Sequence, residues 1–383
     1  MNSVVYLDNA ATSFPKPQWV LREVNSCISR YCGNPGRGSH ALAMESAKKI
    51  YECRELISDF FNVGAPERVV FSMNTTHAIN MLVKGVLRQG DHVIISDLEH
   101  NSVWRPIYRL AKDGVIEYDI FPSMCGSPRA NPTKICAGIA RLIKKNTKLL
   151  LCTHASNICS YSLPIKEIGA FCRRHGIVFA TDAAQSAGHL PIDMQQMCID
   201  ALCAPGHKGL YGLQGAGFLA LSDKISLDTL IEGGNGLSSL TGEMSDDVPE
   251  RYEAGTLPTP SIVGLCEGLK VVSHLGIEKI GEHEKALFRY ARDKLSAIPD
   301  ITIHMPEYEG SVLLFSHNHI ESESLAAKLG DAGICVRGGF HCSALGHKTL
   351  GTYDTGAVRA SFGIFNNSHD IDALATTLGE ISL

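Results

Sequence analysis

Between residues 69 and 221 the chain repeatedly sets a short, almost wholly apolar run beside an amphipathic stretch of helical length. Val69–Ser72, His92–Asp97, Val115–Phe121, Leu149–Thr153, Ile177–Thr181, Ala201–Ala204 and Gly217–Leu221 read as strands. His77–Arg88, Lys134–Lys145 and Ile165–His175 read as helices between them. A strand that is apolar on both faces has to be covered on both faces, and helical crossovers do this for parallel neighbours. The pattern therefore predicts one large α/β unit built on a seven-stranded, mostly parallel sheet. After the Gly/Ser/Asp-rich stretch Gly233–Asp247 the pattern changes. Ser261–Leu275, Glu282–Ile298, Glu321–Ala332 and Asp370–Leu383 read as helices, and Ile301–His304, Gly310–Phe315 and Ala357–Ser361 as strands, which makes a smaller α+β unit. The division expected is 15–260 for the large unit and 261–383, joined by 1–14, for the small one.

Composition narrows the function. With 44% hydrophobic and 20% charged residues over 383 positions, the chain is of globular type. A net charge of -5 gives no electrostatic case for nucleic acid or an anionic membrane. No apolar run nears the roughly 20 residues of a membrane span, and Met1–Asn9 lacks the features of a signal peptide. The thirteen cysteines are odd in number and contain no C-x-x-C pair. They fit thiols packed as small apolar residues in a reducing, cytoplasmic setting.

Two polar groups interrupt the apolar strands at their ends. Asp182 follows Ile177–Thr181, and Lys208, in Gly206-His207-Lys208-Gly209, follows Ala201–Ala204. Ligands of such sheets bind at the carboxyl ends of strands. Alone, Asp182 reads as a helix cap and Lys208 as a surface lysine. Together, on neighbouring strands, they point to pyridoxal 5'-phosphate: the lysine amine forms an imine with the cofactor aldehyde, and the carboxylate faces the pyridine nitrogen.

Asp182-Ala-Ala-Gln185 and Gly206-His-Lys208 resemble the class V aminotransferase family of fold-type I pyridoxal phosphate enzymes. Within it the chain is similar to the cysteine desulfurase and selenocysteine lyase branch, and the likeness runs from Tyr6-Leu-Asp-Asn-Ala-Ala-Thr12 to Arg359. The resemblance implies that Thr75 and Thr76 contact the cofactor phosphate at a helix start, which suits an anion. It implies that His100 stacks on the ring, that Asn157 and Gln185 bond near its 3'-oxygen, and that His207 helps hold the phosphate. Thr256, in Glu253-Ala-Gly-Thr256, resembles a segment that reaches the phosphate of the neighbouring subunit, which implies a homodimer. The chain departs from the family's pattern in four places. Pro205 stands where Ser or Thr is usual and removes one phosphate donor. Asn74 replaces a common glycine, His77 a common glutamate, and Gly36 a histidine that often precedes the arginine.

Val336-Arg-Gly-Gly-Phe-His-Cys342 carries the reactive residue implied by the resemblance: Cys342 matches the nucleophile of the desulfurases with a short cysteine loop. Arg337 and His341 are candidates to favour its thiolate. Arg359 matches the arginine that grips the substrate carboxylate, a task for a planar bidentate donor, and Arg37 resembles a further active-site arginine. The expected reaction takes sulfur from L-cysteine, leaves L-alanine, and holds a persulfide on Cys342 for an acceptor protein. L-selenocysteine is an alternative substrate. A class V aminotransferase or another lyase that does not use Cys342, and a non-catalytic protein of the same fold, are the other readings.

Overall fold

The computed structural model describes residues 4–36, 38–236 and 240–382. Arg37 lies outside the described residues. The seven expected strands form one sheet, in the spatial order Val69–Ser72, Gly217–Leu221, Ala201–Pro205, Val178–Asp182, Thr147–Thr153, Asp91–Ser96 and Ile116–Phe121. Gly217–Leu221 is antiparallel to both of its neighbours, and the other pairings are parallel. Six strands thus run one way and one is reversed.

The continuous apolar runs are explained by two apolar layers. Val93, Ile95, Leu149 and Leu151 feed one layer, while Ile94, Leu150, Cys152 and Phe179 feed the other. Successive side chains of a strand point to opposite faces, so a strand between two layers has no room for polar alternation.

A second, antiparallel sheet has the order Arg337–Gly339, Ala357–Ser361, Val312–His317 and Ile301–His304. Its core joins Leu313, Phe315, Val358 and Ala360 to Phe288, Leu325 and Leu374 of helices Ile277–Leu295, Ser322–Asp331 and Ser368–Ile381. Leu7, from the start of the chain, lies in the same core.

Some boundaries differ from the expectation. The helix expected from His77 begins at Thr75, because the Asn74 side chain accepts the His77 N–H at 2.9 Å and caps it. The helix expected to reach Lys145 stops at Ala140. Helices Gln18–Arg30, Ala41–Phe61 and Asn101–Lys112 were not anticipated. The last contains Pro106, which reads as a helix breaker in sequence. Among the described residues no helix is long and apolar enough to cross a membrane.

A buried ion pair fixes the segment before Thr256. Glu253 accepts from Arg54 Nη1 at 2.9 Å, from Arg54 Nη2 at 2.5 Å and from the Phe71 N–H at 2.6 Å. Arg54 Nη1 also donates to the Val69 carbonyl. Both side chains are buried. Glu253→Gln leaves the Arg54 charge in a dry site, with an expected loss of about 3–5 kcal/mol of unfolding free energy. Urea denaturation measures it, and a loss below about 1 kcal/mol rules out this ion pair as the anchor.

Candidate active site

Five of the six strands that run the same way deliver a side chain to one edge of the sheet. Thr75 and Thr76 follow Val69–Ser72, and His100 follows Asp91–Ser96. Asn157 follows Thr147–Thr153, Asp182 ends Val178–Asp182, and Lys208 follows Ala201–Pro205. All of these, with Gln185, His207 and Arg359, line one cavity of about 230 Å³. Carboxyl ends of parallel strands near a reversal of strand order form such crevices.

The electrostatics of the cavity are set by burial. Asp182 is 3% exposed, and one of its oxygens accepts the Ala184 N–H at 2.9 Å. Desolvation pushes its carboxyl up from the usual carboxylate range, against the Ala184 hydrogen bond and the Lys208 charge. Burial lowers the Lys208 amine to about 8, with Asp182 opposing and the Arg359 and Arg337 charges assisting. Among the described residues the cavity walls thus carry Lys208, Arg337 and Arg359 against Asp182 alone among acids, a balance suited to an anionic ligand.

At the helix start, Thr75 and Thr76 are the first two residues, whose N–H groups have no intrahelical acceptor. The Thr75 hydroxyl is buried without a partner, an unpaired donor in a positively polarised corner. Thr76 Oγ1 lies 2.7 Å from Ser102 Oγ, which lies 2.7 Å from His100 Nδ1. The Ser102 N–H also donates to His100 Nδ1 at 3.1 Å, so the proton of the neutral ring resides on Nε2. Burial and then the Lys208 charge lower His100 to about 4. It is a neutral ring at physiological pH. Its place as the cap of Asn101–Lys112 fixes its orientation.

The start of the chain closes the cavity on one side. Gln185 Nε2 donates to the Ala10 carbonyl at 2.9 Å, and His207 Nδ1 lies 3.1 Å from Thr12 Oγ1. The His207 carbonyl accepts from the Ser13 N–H at 3.0 Å and from Lys16 Nζ at 2.9 Å. Arg359, 2% exposed, donates to the Asn157 carbonyl and to Asp8 Oδ1, each at 2.9 Å. Its Nε–H is buried and unpaired.

Cys342 is exposed at φ +54°, and its carbonyl accepts the Asn101 N–H at 2.7 Å. The Asn157 amide donates to the His341 carbonyl at 2.8 Å. The cysteine turn is therefore tied to the His100 and Asn157 segments. His341 is not the cation that the sequence offered beside Cys342. Its Nε2 lies 2.9 Å from the Arg337 carbonyl and its Nδ1 lies 3.1 Å from His347 Nε2. A carbonyl only accepts, so Nε2 donates and Nδ1 receives the His347 proton. Burial, with the Arg359 charge next, lowers His341 to about 3.

Thr256 is exposed and lines other cavities of the same chain, apart from Lys208. Pro205 borders the cavity around Lys208 and supplies no donor there. Sequence reasoning gave no role to Asp8, Ser102, Thr153 or Glu99. Glu99 is buried and Thr153 lines the cavity. Asp8 lies within the Tyr6–Thr12 motif, the one signal that could have drawn attention to it.

Residues 5–374 match the pattern of the aminotransferase class-V family. A probable cysteine desulfurase of Methanothermobacter thermautotrophicus is 33% identical over 386 aligned residues, covering 99% of this chain and 94% of that relative. The apo structure of a cysteine desulfurase from Thermococcus onnurineus NA1 superposes with a TM-score of 0.88 at 27% identity, over 99% of this chain and 95% of the other. The cysteine desulfurase CsdA from Escherichia coli gives a TM-score of 0.85 at 26% identity, over 98% and 94%. The chain belongs to the class-V aminotransferase family and, within it, to the cysteine desulfurase branch.

Proposed function

We propose that the protein is a pyridoxal phosphate-dependent cysteine desulfurase that converts L-cysteine to L-alanine and keeps the sulfur as a persulfide on Cys342. The reading rests on one observation above others: Lys208, Asp182 and Arg359 line a single cavity, with exposed Cys342 on the turn next to His341, which lines it too.

The residues fit the cofactor. The unpaired Thr75 hydroxyl and the free N–H groups of Thr75 and Thr76 suit its phosphate, and Asp182 suits a ring nitrogen that stays protonated. When bound, pyridoxal phosphate supplies an aldehyde for an amine and a ring that withdraws electrons from the substrate α-carbon. Arg359 binds the substrate carboxylate through the N–H groups that Asp8 and Asn157 leave open. Lys208, lowered to about 8, is partly unprotonated at neutral pH and takes the α-proton at Nζ. Asp182 retains the proton at the ring nitrogen. His100 and Gln185 orient the ring, His207 lends support to the phosphate, and Asn157 to the substrate side. Cys342 Sγ then attacks the substrate sulfur, forming an S–S bond as the C–S bond breaks, and Lys208 returns a proton to the carbon product.

The same reading takes residues 15–260 as the cofactor-binding unit and 261–383 with 1–14 as the unit carrying Cys342 and Arg359. It takes the working form as a homodimer in which Thr256 serves the neighbouring phosphate. Thr256 lines other cavities than the one around Lys208, and Trp19, Ile28, Leu42, Met44 and Met73 are apolar and exposed on the same chain. The exposed Cys342 hands sulfur to an acceptor protein. All thirteen cysteines are free thiols, which supports a cytoplasmic setting.

The holoprotein with L-cysteine and a thiol reductant is expected to yield alanine and sulfide in equal amounts. Cys342→Ala should lower sulfide release by roughly 100-fold or more while retaining the cofactor chromophore. Sulfide release at the parent rate from that variant removes Cys342 from the reaction. Asp182→Asn removes the charge that holds the Lys208 amine up, so its pKa should fall below about 8. Amine modification of Lys208 against pH in cofactor-free protein measures this. An unchanged midpoint contradicts the assigned coupling.

A further inference from the structure

Two cysteines outside the cofactor cavity face each other. Cys125 Sγ and Cys159 Sγ are 4.0 Å apart. Cys125 is half-buried in the connection after Ile116–Phe121, and Cys159 is 1% exposed in the connection after Thr147–Thr153. The two connections are stapled together. Tyr161 OH donates to the Ser123 carbonyl at 2.7 Å, the Gly126 N–H donates to Tyr308 OH at 2.9 Å, and the two tyrosine rings meet edge-on at 4.7 Å. Cys125 itself sits in a turn between Met124 and exposed Gly126, both with positive φ. The contact polarises the pair: it holds the Cys159 thiol below its usual value and raises that of Cys125.

Cys159 belongs to the turn that carries Asn157. Its N–H and that of Ile158 bond to Ser156 Oγ at 3.4 and 3.3 Å. Asn157, two residues away, holds the His341 carbonyl through its amide and Arg359 through its own carbonyl. A covalent tie at Cys159 therefore acts on the residues that position both the cysteine turn and the carboxylate-binding arginine.

We propose that Cys125 and Cys159 form a reversible disulfide, an oxidation site that takes a hydroperoxide and locks the Asn157 turn to the Cys125 connection. Cys125, the less buried of the two, attacks a hydrogen peroxide oxygen as its proton passes to the Cys159 sulfur 4.0 Å away; the O–O bond breaks, hydroxide leaves and becomes water with a solvent proton, and Cys125 becomes a sulfenic acid. The adjacent Cys159 sulfur attacks the Cys125 sulfur. The S–O bond breaks, and hydroxide departs with the Cys159 proton as a second water. Both electrons of the thiol pair end on the peroxide. The sulfurs must close from 4.0 Å to an S–S bond of about 2.05 Å.

The test reads no desulfurase turnover, so it is independent of the proposed reaction. The holoprotein is treated with hydrogen peroxide, its remaining thiols are alkylated, and its peptides are mapped by mass spectrometry. A dithiothreitol-reversible link between the Cys125 and Cys159 peptides is expected, absent from Cys125→Ser and Cys125→Ala. In holoprotein carrying Cys342→Ser, oxidation should slow amide exchange at 156–160 roughly threefold or more, and Cys125→Ser should abolish that response. No such link at peroxide doses that fully oxidise Cys342 in the parent protein overturns the proposal. So does a link that leaves exchange at 156–160 unchanged.

Discussion

A carboxylate at the end of a parallel strand, 3% exposed and opposed by a partly buried amine, is the constraint around which the rest is arranged. Neither Asp182 nor Lys208 is comfortable in its charged form: burial raises the first and lowers the second. The Ala184 N–H is the hydrogen bond that holds Asp182 in place, and it leaves the other oxygen for a ligand. A cationic ring between acid and amine would satisfy the carboxylate and use up the amine. The site is thus better matched to a bound heterocycle than to its own side chains, a mark of a functional cavity.

The fold makes that arrangement rigid. The strands of the parallel set are locked between two apolar layers, so their carboxyl ends stay in register, with Thr153 beside Asp182 and Asp182 beside Cys203. Side chains at the tips inherit this precision. The first residues of the chain contribute to the same end. Leu7 packs into the core of the antiparallel sheet, while Ala10, Thr12 and Ser13 meet Gln185 and His207 at the edge of the large one. One short segment thereby joins the core behind Arg359 to the loop that carries Lys208.

Much of this was legible because it is written in periodicity. The strands Val69–Ser72 and Gly217–Leu221 and the helix Ile165–His175 lie where the apolar pattern put them. Asp182 and Lys208 stood out because a charged group at the end of a buried strand is expensive. The helices Gln18–Arg30 and Ala41–Phe61 were harder to read, since Trp19, Ile28, Leu42 and Met44 are exposed and blur the amphipathic stripe. The state of His341 was not legible at all. It depends on a relay from Thr352 Oγ1 through His347 to the Arg337 carbonyl, and those residues are joined only by folding. Sequence adjacency suggested a cation beside Cys342; three-dimensional bonding makes it a neutral scaffold.

The two arginines of the cavity complete the electrostatic argument. Arg337 and Arg359 are paired residues on neighbouring antiparallel strands, where like charges repel. Asp8 offsets one of them at 2.9 Å. One positive charge is then left facing the cavity in excess, beside Lys208. Asp8 also faces Arg359 from the N-terminal segment and so fixes the guanidinium plane, while the buried Nε–H stays unpaired. A buried donor without an acceptor is costly, and the excess positive charge of the cavity suits an anionic group. That deficit is built into the protein, and Asp8 sets its size by neutralising the pair only in part.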